Sequence, residues 1–238
     1  MNSFIRKPAV DWALKFKKHL AMAKHPVLTH FYQQSIPDAT TPIGEIEFLA
    51  VDFETTGLDP KKDDIITVGV VPFTLNRIYL NRARHWTVRP RKQLSEESVV
   101  IHGITHSDII DAPDLTEVIE EILECLSGRI LVVHYHRIER EFLDRALRTR
   151  FEEGIEFPVV DTMQIESRIQ AQWAGGFWNR LKGKKPQSVR LGQSRIRYHL
   201  PTYTPHHALT DAIATAELLQ AQISYHYDPN QPVRDFWI

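Results

Sequence analysis

The feature that most constrains this chain is a short apolar run, residues 48–51, that leads directly into two acids, Asp52 and Glu54. Side chains two positions apart on a β-strand lie on the same face, so a strand here places both carboxylates together. Two crowded carboxylates repel each other unless a cation neutralises them. Mg²⁺ takes oxygen ligands from a few carboxylates and keeps waters or phosphate oxygens as its other ligands. The pair therefore predicts a divalent-cation site at the end of a buried strand.

A second acidic position lies near the start of the last predicted helix. Asp211 follows His206 by five residues, and His207 lies beside that histidine. A histidine just ahead of a helix and a carboxylate just over one turn into it can face the same cleft. A neutral histidine, with an ordinary pKa of about 6.5, can take a proton from water at neutral pH. The spacing favours His206 over His207 for that role.

The order of predicted elements indicates an α/β fold. Three strand-like runs joined by short turns follow residue 46, and they predict an antiparallel meander. Two further buried strands then alternate with amphipathic helices. We expect a mixed five-stranded sheet with helices on both faces, over residues 46–225.

The segments that flank this region are shorter. Residues 1–45 predict a helical arm and linker, with Pro26 dividing the arm into two helices. The arm either packs on the main domain or docks a protein partner or a second copy in a homodimer. Residues 226–238 form a C-terminal tail.

Composition excludes some classes of protein. The formal net charge of −1 neither indicates nor excludes a nucleic-acid binder. The single cysteine, Cys125, excludes an internal disulfide and a cysteine-based zinc site. No apolar run approaches the roughly 18 residues of a membrane span. These features predict a cytoplasmic protein with no membrane partner.

The most basic stretch is an irregular insert at about residues 170–199. It carries seven cations interleaved with aromatic residues: Arg180, Lys182, Lys184, Lys185, Arg190, Arg195 and Arg197. Such a stretch is most often a solvated face. The alternative interpretation is a surface that contacts the phosphate backbone of a nucleic acid.

Several segments resemble one known family in the right order. Residues 48–71, FLAVDFETTGLDPKKDDIITVGVV, resemble the first motif of the DEDDh exonucleases, the family of the bacterial polymerase proofreading epsilon subunit and of ribonuclease T. Residues 206–219 resemble the third motif. Residues 98–109 resemble the family's Ile-His-Gly-Ile-Thr segment, and residues 159–168 resemble the strand and helix start between the second and third motifs. The resemblance covers about residues 46–225.

The second motif is where the chain departs from this family. The family pattern is His-Asn-Ala-x-Phe-Asp-x-x-Phe-Leu, and residues 134–143 read HYHRIEREFL. His134 and the Phe142-Leu143 pair fix the register, so Glu139 stands where the aspartate belongs. Glutamate is one methylene longer and can still bind a metal. Glu141 and Asp144 fit the register less well.

The resemblance implies a ribonuclease H-like fold and a site with defined roles. Four acids would bind two Mg²⁺ or Mn²⁺ ions roughly 3.5–4 Å apart, and His206 would act as the general base. The implied acids are Asp52, Glu54, Glu139 and Asp211. The terminal nucleotide would contact Thr55, Gly57, Leu58, His102 and Phe142.

The resemblance also implies the activity. We expect a metal-dependent 3′→5′ exonuclease that releases nucleoside monophosphates from single-stranded nucleic-acid ends, with DNA favoured over RNA. Two alternatives remain open. One is a weakly active or inactive module that binds a nucleic-acid end or a partner protein, an alternative suggested by Glu139. The other is an oligoribonuclease-like enzyme that acts on short RNA.

Overall fold

The structure, a computed structural model, describes residues 10–91, 104, 109–174 and 187–238. Most of the predicted helix and loop over residues 94–109 lies outside these ranges. So does the most basic part of the insert, residues 175–186. Among the described residues, no helix combines the length and apolar character needed to cross a membrane.

A mixed sheet forms the centre of the fold. The central strand β1 is antiparallel to β2 and parallel to β5, and β5 is parallel to β6. Strands β3 and β4 both pair with β2 on its other side. The strands are β1 (Phe48–Thr55), β2 (Ile65–Thr74), β3 (Arg77–Ile78), β4 (Arg84–Thr87), β5 (Ile130–Val133) and β6 (Val159–Asp161).

Over the described ranges the sheet has six strands rather than the five expected, because the third predicted strand is divided. A 3₁₀ turn, Leu80–Arg82, separates β3 from β4, and the Arg82 N–H closes it by donating to the Tyr79 carbonyl. The turn carries the Arg82 guanidinium to the Glu47 carboxylate at 2.7 Å. Leu80 is 61% exposed there, so apolar burial does not hold this part of the run in the sheet.

Seven α-helices accompany the sheet in the described part of the chain. Helix α3 begins with a capping box formed by Asp114 and Glu117. Helix α7 packs along β1 and β2, and α4 also contacts both strands. The helices are α1 (Trp12–Met22), α2 (Pro26–Gln33), α3 (Leu115–Leu126), α4 (Arg137–Phe151), α5 (Thr162–Ala174), α6 (Leu191–Arg197) and α7 (Ala208–His226).

The N-terminal arm packs against the same hydrophobic core as the sheet. Its two helices bury Trp12, Phe16, Leu28, Phe31 and Tyr32 in that core. These apolar side chains are thus covered within one molecule. This agrees with the alternative in which the arm packs on the main domain. A role in docking a partner or a second copy stays a prediction.

The C-terminal tail covers the open edge of β6. The Ile238 N–H donates to the Val159 carbonyl at 2.9 Å, and Trp237 is buried beside it. The tail also bonds to the linker after α2, where the Val233 N–H donates to the Thr41 carbonyl at 2.9 Å. An exposed strand edge offers unpaired backbone groups to other chains, and the tail removes that edge.

Gly69 in β2 determines how closely α7 approaches the sheet. It lies directly opposite Asp52 in the β1–β2 register. A Cβ atom at this position would overlap the backbone of Ala208 and Leu209, the first two residues of α7. The first turn of α7 therefore lies against the strand pair at the level of the predicted acids.

We predict that Gly69→Ala destabilises the protein by about 1–3 kcal/mol, the usual cost of overpacking a close contact. Gly192→Ala is the matched control, because a Cβ at Gly192 in α6 would meet no described atom within 4 Å outside its chain neighbours and the backbone of its own helix. Alanine is the better helix former, so the control should be neutral or slightly stabilising. Urea unfolding measures both. Equal stability of Gly69→Ala and the wild type would contradict the close approach.

Candidate metal centre

Three of the predicted acids meet at one point. Asp52 and Glu54 lie in β1, and Asp211 lies in the first turn of α7. Carboxylate oxygens of the three lie within 4.8 Å of one another. Alternation along β1 brings the first two together, and the absence of a side chain at Gly69 lets α7 bring the third.

Glu139, the fourth predicted acid, lies beside this cluster but not within its tightest group. It is the third residue of α4 and is 2% exposed. Its Oε2 atom is buried and has no hydrogen-bond partner among the described residues. Among neighbouring charges, Glu139 has the largest effect on the pKa of Asp52, which places the two carboxylates close together.

Crowding and burial change the acidity of the cluster. Burial raises the pKa of Asp52 well above its usual value, and the charges of Glu139, Glu54 and Asp211 raise it further. Burial also raises the pKa of Glu139, with the charges of Asp161 and Glu54 acting in the same direction. Burial raises the pKa of Asp211 as well, although the backbone N–H of His206 opposes that shift.

These residues fit a divalent cation. The donors are all carboxylate oxygens, which Mg²⁺ and Mn²⁺ prefer. A buried carboxylate oxygen without a partner is costly, and a cation would satisfy Oε2 of Glu139. The same cation would offset the mutual repulsion that raises the pKa values of the cluster.

The two adjacent histidines have different surroundings. The backbone N–H of His206 donates to Oδ2 of Asp211 at 2.8 Å, and His206 has a φ of 70°. Its charge also affects the pKa of Asp211, so its ring lies near the cluster. His207 is the N-cap of α7, and its ring stacks on His85 with centroids 5.0 Å apart. The geometry thus gives His207 a structural role and leaves His206 at the acids.

The turn after β1 is held by its own side chains. The Thr55 hydroxyl donates to the Gly57 carbonyl at 2.6 Å, and the Thr56 hydroxyl accepts from the Asp64 N–H at 3.0 Å. A Cβ atom at Gly57 would overlap the carboxylate of Asp63. Leu58 is 84% exposed at the end of this turn. A fixed turn with an exposed apolar side chain beside the acids can contact a ligand.

Phe142 lies mainly in the hydrophobic core. It is 2% exposed and packs in the hydrophobic core, because it lies one turn beyond Glu139 on the buried face of α4. Its side chain supports the helix, and its contact with the substrate stays a prediction. His102, also predicted to contact substrate, lies outside the described residues.

The two acids that fit the second-motif register less well are occupied elsewhere. Glu141 pairs with Arg137 at 2.7 Å. Asp144 pairs with Arg148 at 2.8 Å and accepts the Ile155 N–H at 3.0 Å. Neither carboxylate belongs to the acidic cluster.

Part of the basic insert is internal rather than solvated. Arg195 is 3% exposed and pairs with Glu217 at 2.7 Å. Arg197 pairs with the buried Glu166 at 2.9 Å. These two arginines join α6 to neighbouring helices, so they are unavailable to a phosphate backbone. Lys182, Lys184 and Lys185 lie outside the described residues.

The sequence reasoning missed one residue next to the cluster. Asp161 ends β6, is 2% exposed, and raises the pKa of Glu139. Its carboxylate binds the turn that precedes α4. Its position directly between an apolar strand and the start of a helix could have identified it from the sequence.

We predict that Asp52→Asn stabilises the metal-free protein. A raised pKa in the folded state means that the stability associated with Asp52 is present below the unfolded-state pKa of about 4 and is lost as pH rises through the folded-state pKa. Asparagine is neutral throughout, so the variant should be more stable than the wild type at pH 7, and the difference should be smaller at pH 5. Urea unfolding in a chelator at pH 5 and pH 7 measures the gain.

Asp38→Asn provides the control for this substitution. Hydrogen bonds from Thr40 lower the pKa of Asp38, so its neutral variant should not gain stability at pH 7. If the wild type and the Asp52→Asn variant are equally stable at both pH values, charge repulsion does not destabilise the acidic cluster.

Comparison with known proteins agrees with the motifs. An exonuclease family model, RNase T, matches residues 49–219. The DNA polymerase III subunit epsilon of Treponema pallidum is 26% identical over 186 residues, which cover 78% of this chain and 80% of that protein. A PolC-type DNA polymerase III of Thermotoga maritima is 29% identical over 187 residues, or 78% of this chain, but the chain spans only 12% of that protein's length.

A solved structure shows the same fold. The nuclease domain of 3'hExo, described as a DEDDh family member bound to rAMP, has a TM-score of 0.60 and 16% identity, and the match covers 80% of this chain and 96% of that domain. The predicted family resemblance is therefore confirmed. The family match extends over more than half of the sequence and includes Asp52, Glu54 and Asp211, and so this chain belongs to the RNase T family of exonucleases.

Proposed function

We propose that this protein is a divalent-metal-dependent 3′→5′ exonuclease that releases nucleoside monophosphates. The observation that carries the proposal is the meeting of Asp52, Glu54 and Asp211 within 4.8 Å. Membership in an exonuclease family supports the reaction type. The polarity follows from the DEDDh resemblance.

The four acids Asp52, Glu54, Glu139 and Asp211 would hold two divalent ions. When bound, such ions offset the negative charge of the carboxylates and of the phosphodiester and make a water more acidic. Glu139 reaches the cluster with a longer arm than aspartate. Mn²⁺ tolerates irregular geometry better than Mg²⁺, so we propose a preference for Mn²⁺.

His206 would remove the proton of the attacking water. Its backbone is tied to Asp211 by the 2.8 Å hydrogen bond, which keeps the residue beside the acids. An imidazole that is neutral near pH 7 can accept a proton there. The turn over residues 55–58 would orient the terminal nucleotide, with Leu58 offering an apolar surface to it.

The inactive-module alternative rests on Glu139 in the aspartate position. Its buried carboxylate is close enough to Asp52 for its charge to raise the pKa of that residue, and this supports the enzyme. A binding module has no need for a strained acidic cluster.

The test is release of mononucleotides from a 3′-labelled single-stranded DNA with Mg²⁺ or Mn²⁺. Asp52→Ala should remove the activity. His206→Ala should lower kcat by about 100-fold or more with little change in KM, because a general base acts in the transition state. His207→Ala is the matched control and should have a much smaller effect. A wild-type protein that releases no mononucleotide with either ion would overturn the proposal.

A cationic groove next to the site bears on the substrate's length. The cavity has a volume of about 220 Å³, and Phe142 and Ile65 form part of its wall. Phe142 belongs to the helix that carries Glu139, and Ile65 pairs with Thr55 in β1. The basic residues along the groove are Lys61, Lys62, Arg91, Arg145 and Arg150.

Some of these cations have acidic partners and others do not. Arg150 and Arg91 lie 3.3 and 3.6 Å from Asp114. Lys61 and Arg145 are exposed and form no ion pair with any residue that the structure describes. We propose that phosphates upstream of the reacting 3′ end lie along this groove. The proposal favours longer oligonucleotides over the dinucleotides of the oligoribonuclease-like alternative.

The nucleic acid is proposed to be single-stranded DNA, because curated relatives are named as DNA polymerase III proteins. A cytoplasmic location fits that proposal.

We predict that Lys61→Gln combined with Arg145→Gln raises KM several-fold for a single-stranded 15-mer but leaves KM for a dinucleotide unchanged. The salt slope of binding should flatten by about 1 to 1.5, since each lost phosphate contact removes about 0.7. Lys17→Gln with Lys18→Gln, on the exposed face of α1, makes the same charge change away from the groove. If the two double variants have equal effects, the groove does not bind the phosphates and is an ordinary solvated surface.

A further inference from the structure

Asp161 links the starts of two helices. At the start of α4, its carboxylate accepts the N–H groups of Tyr135 and His136 at 3.3 and 3.0 Å. It also contacts Nδ1 of His136 at 2.6 Å. At the start of α5, it accepts the N–H groups of Met163 and Gln164 at 2.9 and 3.2 Å. One carboxylate with 1% side-chain exposure thus serves both helix N-termini.

Helix α4 has no side-chain cap of its own. His136 occupies the N-cap position, but its side chain makes no capping hydrogen bond to the helix. The first N–H groups of a helix need acceptors, and a negative charge near them is favourable. Asp161, the last residue of β6, supplies that charge.

The residue before the cap has an unusual backbone. Tyr135 has a φ of 87°, which is strained for a residue other than glycine. Such a conformation persists only when its surroundings hold it. The hydrogen bond from the Tyr135 N–H to Asp161 is one of these restraints, so Asp161 helps to set the path of the chain into α4.

Glu139 depends on that path. It lies only three residues beyond His136, and its Oε2 has no hydrogen-bond partner in the part of the chain that the structure describes. The hydrogen bond to its carboxylate comes from its own backbone N–H, which belongs to the start of α4. The start of α4 therefore decides where this carboxylate lies relative to Asp52. We propose that Asp161 is a positioning residue that fixes the start of α4 and so holds Glu139 in place to bind a divalent ion. The inference rests on the proposed function for the identity of the ligand.

The experiment is calorimetric titration of the full chain with Mn²⁺ in the absence of nucleic acid. Asp161→Asn places an amide where N–H donors point and should weaken Mn²⁺ binding by about tenfold, as expected for residues that orient metal ligands. Glu139→Ala should weaken binding directly. In the Glu139→Ala background, adding Asp161→Asn should change the affinity by less than about twofold, because residues that act through one group are not additive.

Glu166→Gln separates positioning from loss of stability. Glu166 is a buried acid of α5, 1% exposed, and it accepts hydrogen bonds from Tyr198 and Gln222 at 2.9 Å each. Its contacts join α5 to α6 and α7 rather than to α4. This variant should lower Tm while leaving Mn²⁺ affinity within about twofold of the wild type.

Two results would overturn the inference. One is wild-type Mn²⁺ affinity in Asp161→Asn, and the other is an equal loss with and without Glu139. If Asp161→Asn does not fold, His136→Ala decides: removing its ring contact should cause a smaller loss of affinity that vanishes in the Glu139→Ala background, and unchanged affinity counts against the inference. Mononucleotide release by the wild type, measured in parallel, tests the proposed function separately.

Discussion

The close approach of α7 to the β1–β2 pair is the contact on which the site depends. It is possible because Gly69 has no side chain at the point where Ala208 and Leu209 lie on the strand. Without that contact, Asp211 could not join Asp52 and Glu54, which already share one face of β1. The fold thus forces together like charges that repel, at a cost of several kcal/mol per buried ion unless a counter-ion is present. The surrounding apolar core, to which the helices α1 and α2 and the C-terminal tail contribute, has to offset that cost.

Much of the fold and three of the acids could be predicted because they follow from local rules. Alternation places Asp52 and Glu54 together, and a motif of fixed spacing identifies Asp211. The division of the third strand could not be foreseen, because it depends on a turn that brings Arg82 to Glu47, 35 residues away in sequence. The pairing of Arg195 with Glu217 and the contacts of Asp161 with the turn before α4 could not be predicted for the same reason, since the partners lie far apart in sequence. Sequence periodicity reports which side chains face the core, but not which polar partners meet across it.

Two departures from the second motif lie three residues apart, at the start of α4. His136 stands where the family has alanine and contacts Asp161, and Glu139 stands where the family has aspartate. A longer acid has more rotatable bonds, so its carboxylate loses more conformational freedom when it binds a cation. An additional contact at the start of the same helix would limit the freedom of the backbone beneath it. The two differences are therefore physically compatible, because the contact of His136 restrains the backbone that carries the longer side chain of Glu139.

Metal binding and the start of α4 should consequently be coupled in both directions. Asp161 lies close enough to Glu139 for its charge to raise the pKa of that residue, so the two carboxylates repel in the metal-free protein. A cation at Glu139 would offset that repulsion and favour the arrangement in which Asp161 holds both helix starts. If the start of α4 places Glu139 as proposed, then by linkage a change that stabilises the turn at Tyr135 also favours the bound cation, because a ligand shifts an equilibrium only through its different affinity for the two states. The strained backbone of Tyr135 is then part of the site, although its side chain need not touch a metal ion.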